Sequence, residues 1–396
     1  MDAGEIKKEV NKDWRDHPEE TVQRKASFFC RTTYKPQFLG KTILIALAVA
    51  ALVSISVFLS YYTIGDDFSV YYRVGGVINN AKVHNEVIYD DRFMAYSIPV
   101  AYLFGSLALL PYHTAKAIFI FTNCAMYLTA IGLILRFNKT TGRWFVYPLA
   151  FSCLWPPFLQ DIRLANVDCI LLFLVTLSAL SAEKDRPALS GFLLAIATLF
   201  KVFPIAIAMV MGLKNWRIFA VCALTVGASF FIPGSLKWLS AIGLWARWEV
   251  GLTLPYLFLN QINIVYFIFY AITIAGTTAW LCHRLRSEAN YFLFVAFAIP
   301  AVFLVITILE YQHLTLLAFS LVFLLTSSHK TSRLLLAGII LSVAMISSFF
   351  VLVINHKILC PNAYQRALIS LGLFPLWFAL VIMKWPFLRK APALPG

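Results

Sequence analysis

Long apolar blocks separated by short polar segments dominate the 396-residue chain. A membrane-spanning helix needs about 20 apolar residues, and about 17 can suffice. The blocks near this length are 40–62, 96–110, 117–135, 144–158, 167–182, 188–213, 218–232, 262–281, 290–308, 314–327, 334–354 and 367–384. They predict an all-α, polytopic transmembrane protein with about 11–13 crossings. Several blocks are short, which suggests interrupted helices or helices that cross half of the bilayer.

The block 188–213 contains two residues that disturb a continuous span, Lys201 and Pro204. A lysine at the centre of the bilayer costs about 2.5–3.5 kcal/mol on insertion scales, and proline removes a helix hydrogen bond. The pattern fits either one kinked span or two half-spans that meet with Lys201 near a water-filled site. The segment 136–143 is basic like a cytoplasmic loop, whereas counting spans puts it outside. The topology of 136–213 therefore stays open.

Composition strengthens the membrane interpretation. Hydrophobic residues make up 60% of the chain and charged residues 13%, whereas soluble domains carry about 25% charged residues. The formal net charge is +14, but the basic residues stand in short clusters between apolar blocks, as in cytoplasmic loops. We therefore expect a bilayer as partner and no nucleic acid.

The basic clusters also set the expected orientation. By the positive-inside rule, the segments 214–217, 283–286 and 384–390 are cytoplasmic, and so is the N-terminus. This predicts a multi-pass protein of the inner or plasma membrane, with functional loops on the outer face. The predicted parts are a cytoplasmic tail 1–39, a single transmembrane domain 40–390 containing a first external loop 63–95 and a second external loop 233–261, and a C-terminal tail 391–396.

Acidic residues concentrate in the first external loop: Asp66, Asp67, Glu86, Asp90 and Asp91. An ionised carboxylate can take a proton from a sugar hydroxyl, and a positioned general base contributes about 10²–10⁴-fold. Two adjacent acids can also bind a divalent cation when further oxygen ligands are present. The alternative is a capping role at the start of a helix. Residues 68–78 carry apolar side chains at helical spacing and predict an amphipathic helix at the outer interface.

Other polar residues stand at predicted helix ends. Glu310 and His313 lie in a short outer turn, where they either bind a ligand or satisfy each other between helices. Asn260 and Gln261 close the second external loop, and amides there suit a hydroxylated ligand. Asn166 opens a span with a polar start. The chain has no phosphate-binding glycine loop, so we expect a donor that arrives through the lipid rather than a nucleotide sugar.

Four stretches resemble motifs of one enzyme family in the same order. Asp67–Arg73 resembles an Asp-Phe-x-Val-Tyr motif, and the run from Tyr89 to Pro111 resembles Tyr…Phe-x-Tyr-Pro-Pro…Leu-Pro. The run from Arg163 to Pro204 resembles Gly-Gln-Val-Asn…Ala-Gly…Lys-x-x-Pro, and Leu259–Gln261 resembles Asn-Gln-Ser. Together they resemble the GT-C membrane glycosyltransferases, most closely glycosyltransferase family 87, whose members use polyprenyl-phosphate-mannose. Leu164-Ala165 and Ile262 depart from the motifs, which bears on substrate identity and activity more than on fold.

The resemblance implies a GT-C-like fold with an interfacial helix in the first external loop and an enzyme that transfers a hexose. Mannose is the expected sugar, moved with inversion from a polyprenyl-phosphate carrier to a glycan or glycolipid acceptor at the outer face. Asp67 is the implied catalytic base, with Asp66 as its neighbour. The expected donor-phosphate and substrate-binding residues are His313, Lys201, Arg73, Glu310, Asn260, Gln261 and Asn166.

No cofactor is expected to be required. A divalent cation can bind at the paired acids. It is not needed for the reaction, because the leaving polyprenyl phosphate is already an anion. Two alternatives remain: another polyprenyl-phosphate sugar, such as a pentose, on the same scaffold, or a lipid or solute transporter. The chain has no visible internal repeat of the kind found in many transporters.

Overall fold

The computed structural model describes residues 36–62, 67–79, 96–238, 264–287, 290–305, 311–327, 338–346, 371–378 and 381. The predicted N-terminal tail up to residue 35, the C-terminal tail 391–396 and most of both external loops lie outside these residues. The chain divides into two compact units, 1–55 and 56–396. The described part of the first unit is helical throughout, and the second unit contains all the other helices.

All regular elements among the described residues are helices, in agreement with the predicted all-α class. They are α1 (Pro36–Tyr62), α2 (Asp67–Asn79), α3 (Ile98–Leu107), α4 (Tyr112–Phe137), α5 (Arg143–Cys153), α6 (Pro156–Leu164), α7 (Asp168–Glu183), α8 (Pro187–Phe200), α9 (Pro204–Gly212), α10 (Trp216–Ser229), α11 (Ile264–Arg284), α12 (Tyr291–Val305), a 3₁₀ helix (Tyr311–Leu316) and α13 (Leu317–Ser327). Residues 338–346 and 371–378 are also helical.

The core of the second unit is formed by helices that are apolar on every side. Every side chain of α12 from Tyr291 to Leu304 is buried, and so are residues 313–324. A helix that is hydrophobic all round belongs inside a bundle rather than on its surface. Helices α4, α7, α9 and α11 pack around α12, the 3₁₀ helix and α13.

Two of the described helices, α4 and α11, are each long and apolar enough to cross a bilayer, and up to four spans result if each of two bent helix pairs is one span. Five shorter apolar helices accompany them. These helices confirm an all-α polytopic class. The count of about 11–13 crossings stays a prediction.

Two apolar blocks are divided where the sequence places polar or proline residues. The sequence predicts one span over the block 144–158. The structure instead has two helices there, because α5 ends at Cys153 and α6 begins at Pro156. Proline lacks an N–H, so it fits the first position of a helix and ends the one before it. The block 188–213 is likewise broken between Phe200 and Pro204, which decides against one continuous helix there.

The predicted amphipathic helix of the first external loop is confirmed as α2. Phe68, Tyr71 and Val74 are buried on one side of α2, whereas Arg73 is exposed. Its position at the membrane interface stays a prediction.

Candidate functional site

Asp67 is the first residue of α2 and is half-buried. A carboxylate in the first turn of a helix is stabilised by the unpaired backbone N–H groups there. The capping alternative assumes a helix that starts at Phe68, whereas α2 starts at Asp67, so Asp67 lies in the first turn and not at the cap position. A stabilising position at a helix end does not prevent the same carboxylate from acting on a ligand.

Helix α2 is held against α3 by a close contact that fixes the position of Asp67. The Tyr71 ring stacks on the Phe104 ring with centroids 4.6 Å apart, and the hydroxyls of Tyr71 and Tyr96 are 2.6 Å apart. A Cβ on Gly75 would lie 2.3 Å from the carbonyl oxygen of Phe104. Asn79 completes the contact by donating to the Gly105 carbonyl at 2.8 Å.

A sharp reversal between α6 and α7 brings Asn166 towards Asp67. The two helices are bent by 120° at this break, and Ala165 has a left-handed backbone with φ of 50°. The buried Asp161 closes the turn, because its backbone carbonyl accepts from Asn166 N–H at 3.0 Å and its Oδ2 accepts from Cys169 N–H at 3.0 Å. The result is a polar turn inside an otherwise apolar part of the molecule.

The hydrogen bonds of Asn166 determine the orientation of its amide. Its Oδ1 accepts from the Val167 N–H at 2.6 Å and from Lys201 Nζ at 3.1 Å. Its Nδ2 donates to Oδ2 of Asp67. Because an amide oxygen accepts and an amide nitrogen donates, this set of partners admits only one arrangement of the side chain, with its donor towards Asp67.

Lys201 lies in the break between α8 and α9, where the backbone leaves the helical conformation. Its ammonium donates to both carboxylate oxygens of Asp168, at 3.0 and 2.9 Å, and to Asn166. The Asp168 side chain is fully buried and that of Lys201 is 13% exposed. Since an ammonium has three donors, these three hydrogen bonds use all of them.

Asp168 is a member of the site that was not among the predicted site residues. The sequence offered a signal, because a lysine in an apolar block requires a nearby counter-charge. Only the fold shows that the first residue of α7 provides it.

His313 lies beside this network in the 3₁₀ helix and is 8% exposed. Its ring centroid is 6.1 Å from that of Phe203, which follows Lys201 by two positions in the same break. The 3₁₀ helix is held against the turn before α6 by a hydrogen bond of 3.1 Å from Trp155 Nε1 to the Leu314 carbonyl.

The structure thus brings together four of the residues predicted from sequence and places one elsewhere. Asp67, Asn166 and Lys201 form a hydrogen-bonded chain with Asp168 at its end, and His313 lies against Phe203, two positions after Lys201. Arg73 lies on the exposed side of α2. Four further candidates, Asp66, Glu310, Asn260 and Gln261, lie outside the described residues.

Within the described part of the chain, no group of three or more His, Cys, Asp and Glu side chains could hold a metal ion. This finding does not cover the other acids of the first external loop, which are outside the described residues. The described acids have other partners: Asp168 faces Lys201, and Asp161 supports the turn before α7.

Residues 93–256 match the model of glycosyltransferase family 87. This match supports membership of the chain in family 87. It confirms the resemblance indicated by the motifs, and the family indicates a membrane glycosyltransferase. The matched region contains Asn166, Asp168 and Lys201, whereas Asp67 and His313 lie outside it. Comparisons with curated proteins and with solved structures gave no match.

Proposed function

We propose that this membrane glycosyltransferase transfers a hexose, with mannose as the first candidate, from a polyprenyl-phosphate carrier to a glycan or glycolipid acceptor at the outer membrane face. Asp67 acts as the general base. The observation that carries this assignment is the chain of hydrogen bonds from Asp168 through Lys201 and Asn166 to Asp67.

The chain of contacts suits a base because it orients the carboxylate of Asp67 through a donor on one of its two oxygens. A carboxylate has about four lone-pair sites, and Asn166 uses one of them on Oδ2. An acceptor hydroxyl that binds another site gives its proton to Asp67. Its oxygen then forms a bond to the anomeric carbon, while the bond from that carbon to the phosphate oxygen breaks with both electrons leaving on the phosphate.

A single displacement of this kind inverts the configuration at the anomeric carbon. Negative charge grows on the leaving phosphate, and positive groups fixed before the reaction stabilise that charge without reorganising. Lys201 and His313 are the proposed donor-phosphate residues: Lys201 supplies a positive charge, and His313 supplies a ring N–H donor. The ammonium of Lys201 makes three internal hydrogen bonds, so it reaches a phosphate only by exchanging one of them. We assign it two roles: it orients Asn166, and its charge favours the donor phosphate.

The direct test is sugar transfer by full-length protein in membranes. Membranes containing the overproduced chain are supplied with radiolabelled polyprenyl-phosphate-mannose, and the label is followed into the glycolipid and glycan fractions. We expect Asp67→Asn to lower the rate about 10²–10⁴-fold, the range for a positioned base. Ser69→Ala, at an exposed position on the same helix, is the control. Full transfer by Asp67→Asn contradicts the assignment of the base.

The sugar is tested in the same membranes with polyprenyl-phosphate-glucose and a polyprenyl-phosphate pentose. Transfer from the pentose donor alone shows that the transferred sugar is a pentose and not mannose, and it leaves the proposed mechanism unchanged. No transfer from any of these donors, by membranes in which the chain is folded and abundant, contradicts the proposed donor class.

A further inference from the structure

A groove between α8 and α10 lies at the opposite end of α8 from Lys201. It has a volume of about 650 Å³ and is lined by residues of the two helices and of the turn before α8. Helix α8 has 14 residues, so at 1.5 Å per residue the groove lies about 20 Å from the candidate site. This separation makes it a distinct feature of the fold.

The walls of the groove meet in close contact. A Cβ on Gly191 of α8 would lie 2.4 Å from the carbonyl oxygen of Ile218 in α10, so the two backbones touch there. On the buried side of α8, Ser190 is hydrogen-bonded to Ser178 of α7, with 2.8 Å between the hydroxyl oxygens. These contacts fix α8 against its neighbours and define the shape of the groove.

The charged residues at one end of the groove favour an anion. Arg186 and Arg217 both line it, together with Asp185. Both arginines are exposed, and among the described residues neither guanidinium has a hydrogen-bond or ion-pair partner. Two guanidinium groups against one carboxylate leave a positive charge and ten N–H donors, and guanidinium groups pair well with phosphate.

The remaining lining suits hydrocarbon. Leu189 and Leu224 are 43% and 73% exposed, and Trp216 is 71% exposed beside Arg217. Tryptophan next to basic residues is typical of the level of lipid headgroups, where its ring contacts both the chains and the headgroup region. An apolar wall that continues from a cationic end matches a molecule with a phosphate head and a hydrocarbon tail.

We propose that this groove binds an anionic phospholipid of the bilayer. Its phosphate lies between Arg186 and Arg217, and an acyl chain lies along Leu189 and Leu224. The two basic turns at this end, 184–186 and 214–217, have the charge expected of cytoplasmic loops. The lipid is therefore one of the cytoplasmic leaflet, where anionic headgroups attract basic residues near the surface.

The test compares lipid binding by the purified full-length protein in detergent, using native mass spectrometry. The probes are phosphatidylglycerol and phosphatidylcholine with identical acyl chains. We expect phosphatidylglycerol to bind at least about tenfold more tightly to the natural protein, and the double variant R186A/R217A to lose this preference. The matched control R284A/R286A removes the same charge from exposed positions at the end of α11 and keeps the preference.

A second variant tests the apolar wall without changing charge. Ala188 is exposed and lines the groove, and Ala188→Trp fills it, so we expect weaker binding of phosphatidylglycerol with an unchanged thermal unfolding temperature. Three results overturn the proposal: equal losses in both double variants, displacement of the lipid by inorganic phosphate, or binding of polyprenyl phosphate in the groove in preference to phosphatidylglycerol. The first indicates diffuse surface charge, the second a site for a soluble anion, and the third a site for the donor lipid.

Discussion

Replacement of Asn166 by alanine tests the role of the hydrogen-bonded chain most directly. The asparagine side chain joins the candidate base to Lys201: it donates to Asp67 and accepts from Val167 N–H and Lys201. Alanine removes all three contacts and leaves Asp67, the proposed reacting group, in place. The variant therefore tests whether sugar transfer depends on the position of the Asp67 carboxylate, since the carboxylate itself is still present.

The magnitude follows from the contact with Asp67. A hydrogen bond to a charged group contributes about 1.5–3 kcal/mol. If that contact holds Asp67 in its reactive position, its loss raises the barrier by a similar amount, or about 10- to 150-fold in kcat. Asn166→Asp is more severe in one respect, because it replaces the donor by an oxygen that repels Asp67, although it retains acceptors for Val167 and Lys201.

The assay measures kcat and the KM for the donor with the same labelled polyprenyl-phosphate sugar, corrected for the folded fraction. Asn138→Ala is the control, because it removes hydrogen bonds to Phe323 and Thr326 from a half-buried asparagine outside the candidate site. We expect the control to lose stability and to keep its kcat. If Asn166→Ala keeps kcat within twofold, Asn166 does not position the base; if it changes only the KM for the donor, Asn166 binds the donor instead.

Two further predictions concern the contacts that support the site. Lys201→Met leaves the carboxylate of Asp168 buried without its partner, which we expect to destabilise the protein by about 3–5 kcal/mol. In the double variant with Asp168→Leu, we expect the thermal unfolding temperature to recover but sugar transfer to stay lost. Recovery of both contradicts a role for the pair in activity. Gly75→Ala places a Cβ 2.3 Å from the carbonyl oxygen of Phe104 and moves α2 away from α3, so we expect lower stability and lower transfer. Gly76→Ala, with nothing within 4 Å of the added Cβ, is the control for helix propensity, and equal behaviour of the two variants refutes the close-contact argument.

The sequence predicts individual elements of the site well, because the signals are local. The apolar periodicity of residues 68–78 predicts the helix observed as α2 and places Asp67 at its start. Lys201 and Pro204 predict the break between α8 and α9, since a charge and a missing N–H both disfavour a continuous helix in an apolar setting. The apolar pattern alone predicts one span over 144–158, whereas the prolines of Trp155-Pro156-Pro157 divide this block into two helices.

Which polar residues meet was decided only by the tertiary structure. Asp67 and Asn166 are 99 positions apart, and Lys201 and Asp168 are 33 positions apart. The sequence indicated that each of these groups, in a largely apolar chain, needs a partner, but it contained several acids and amides that could serve. The choice depends on the 120° reversal between α6 and α7 and on the close approach of α2 to α3. The hydrophobic pattern determines where the helices form, because it depends only on residues a few helical turns apart. The partners of buried charges depend instead on the packing of helices that are distant in sequence.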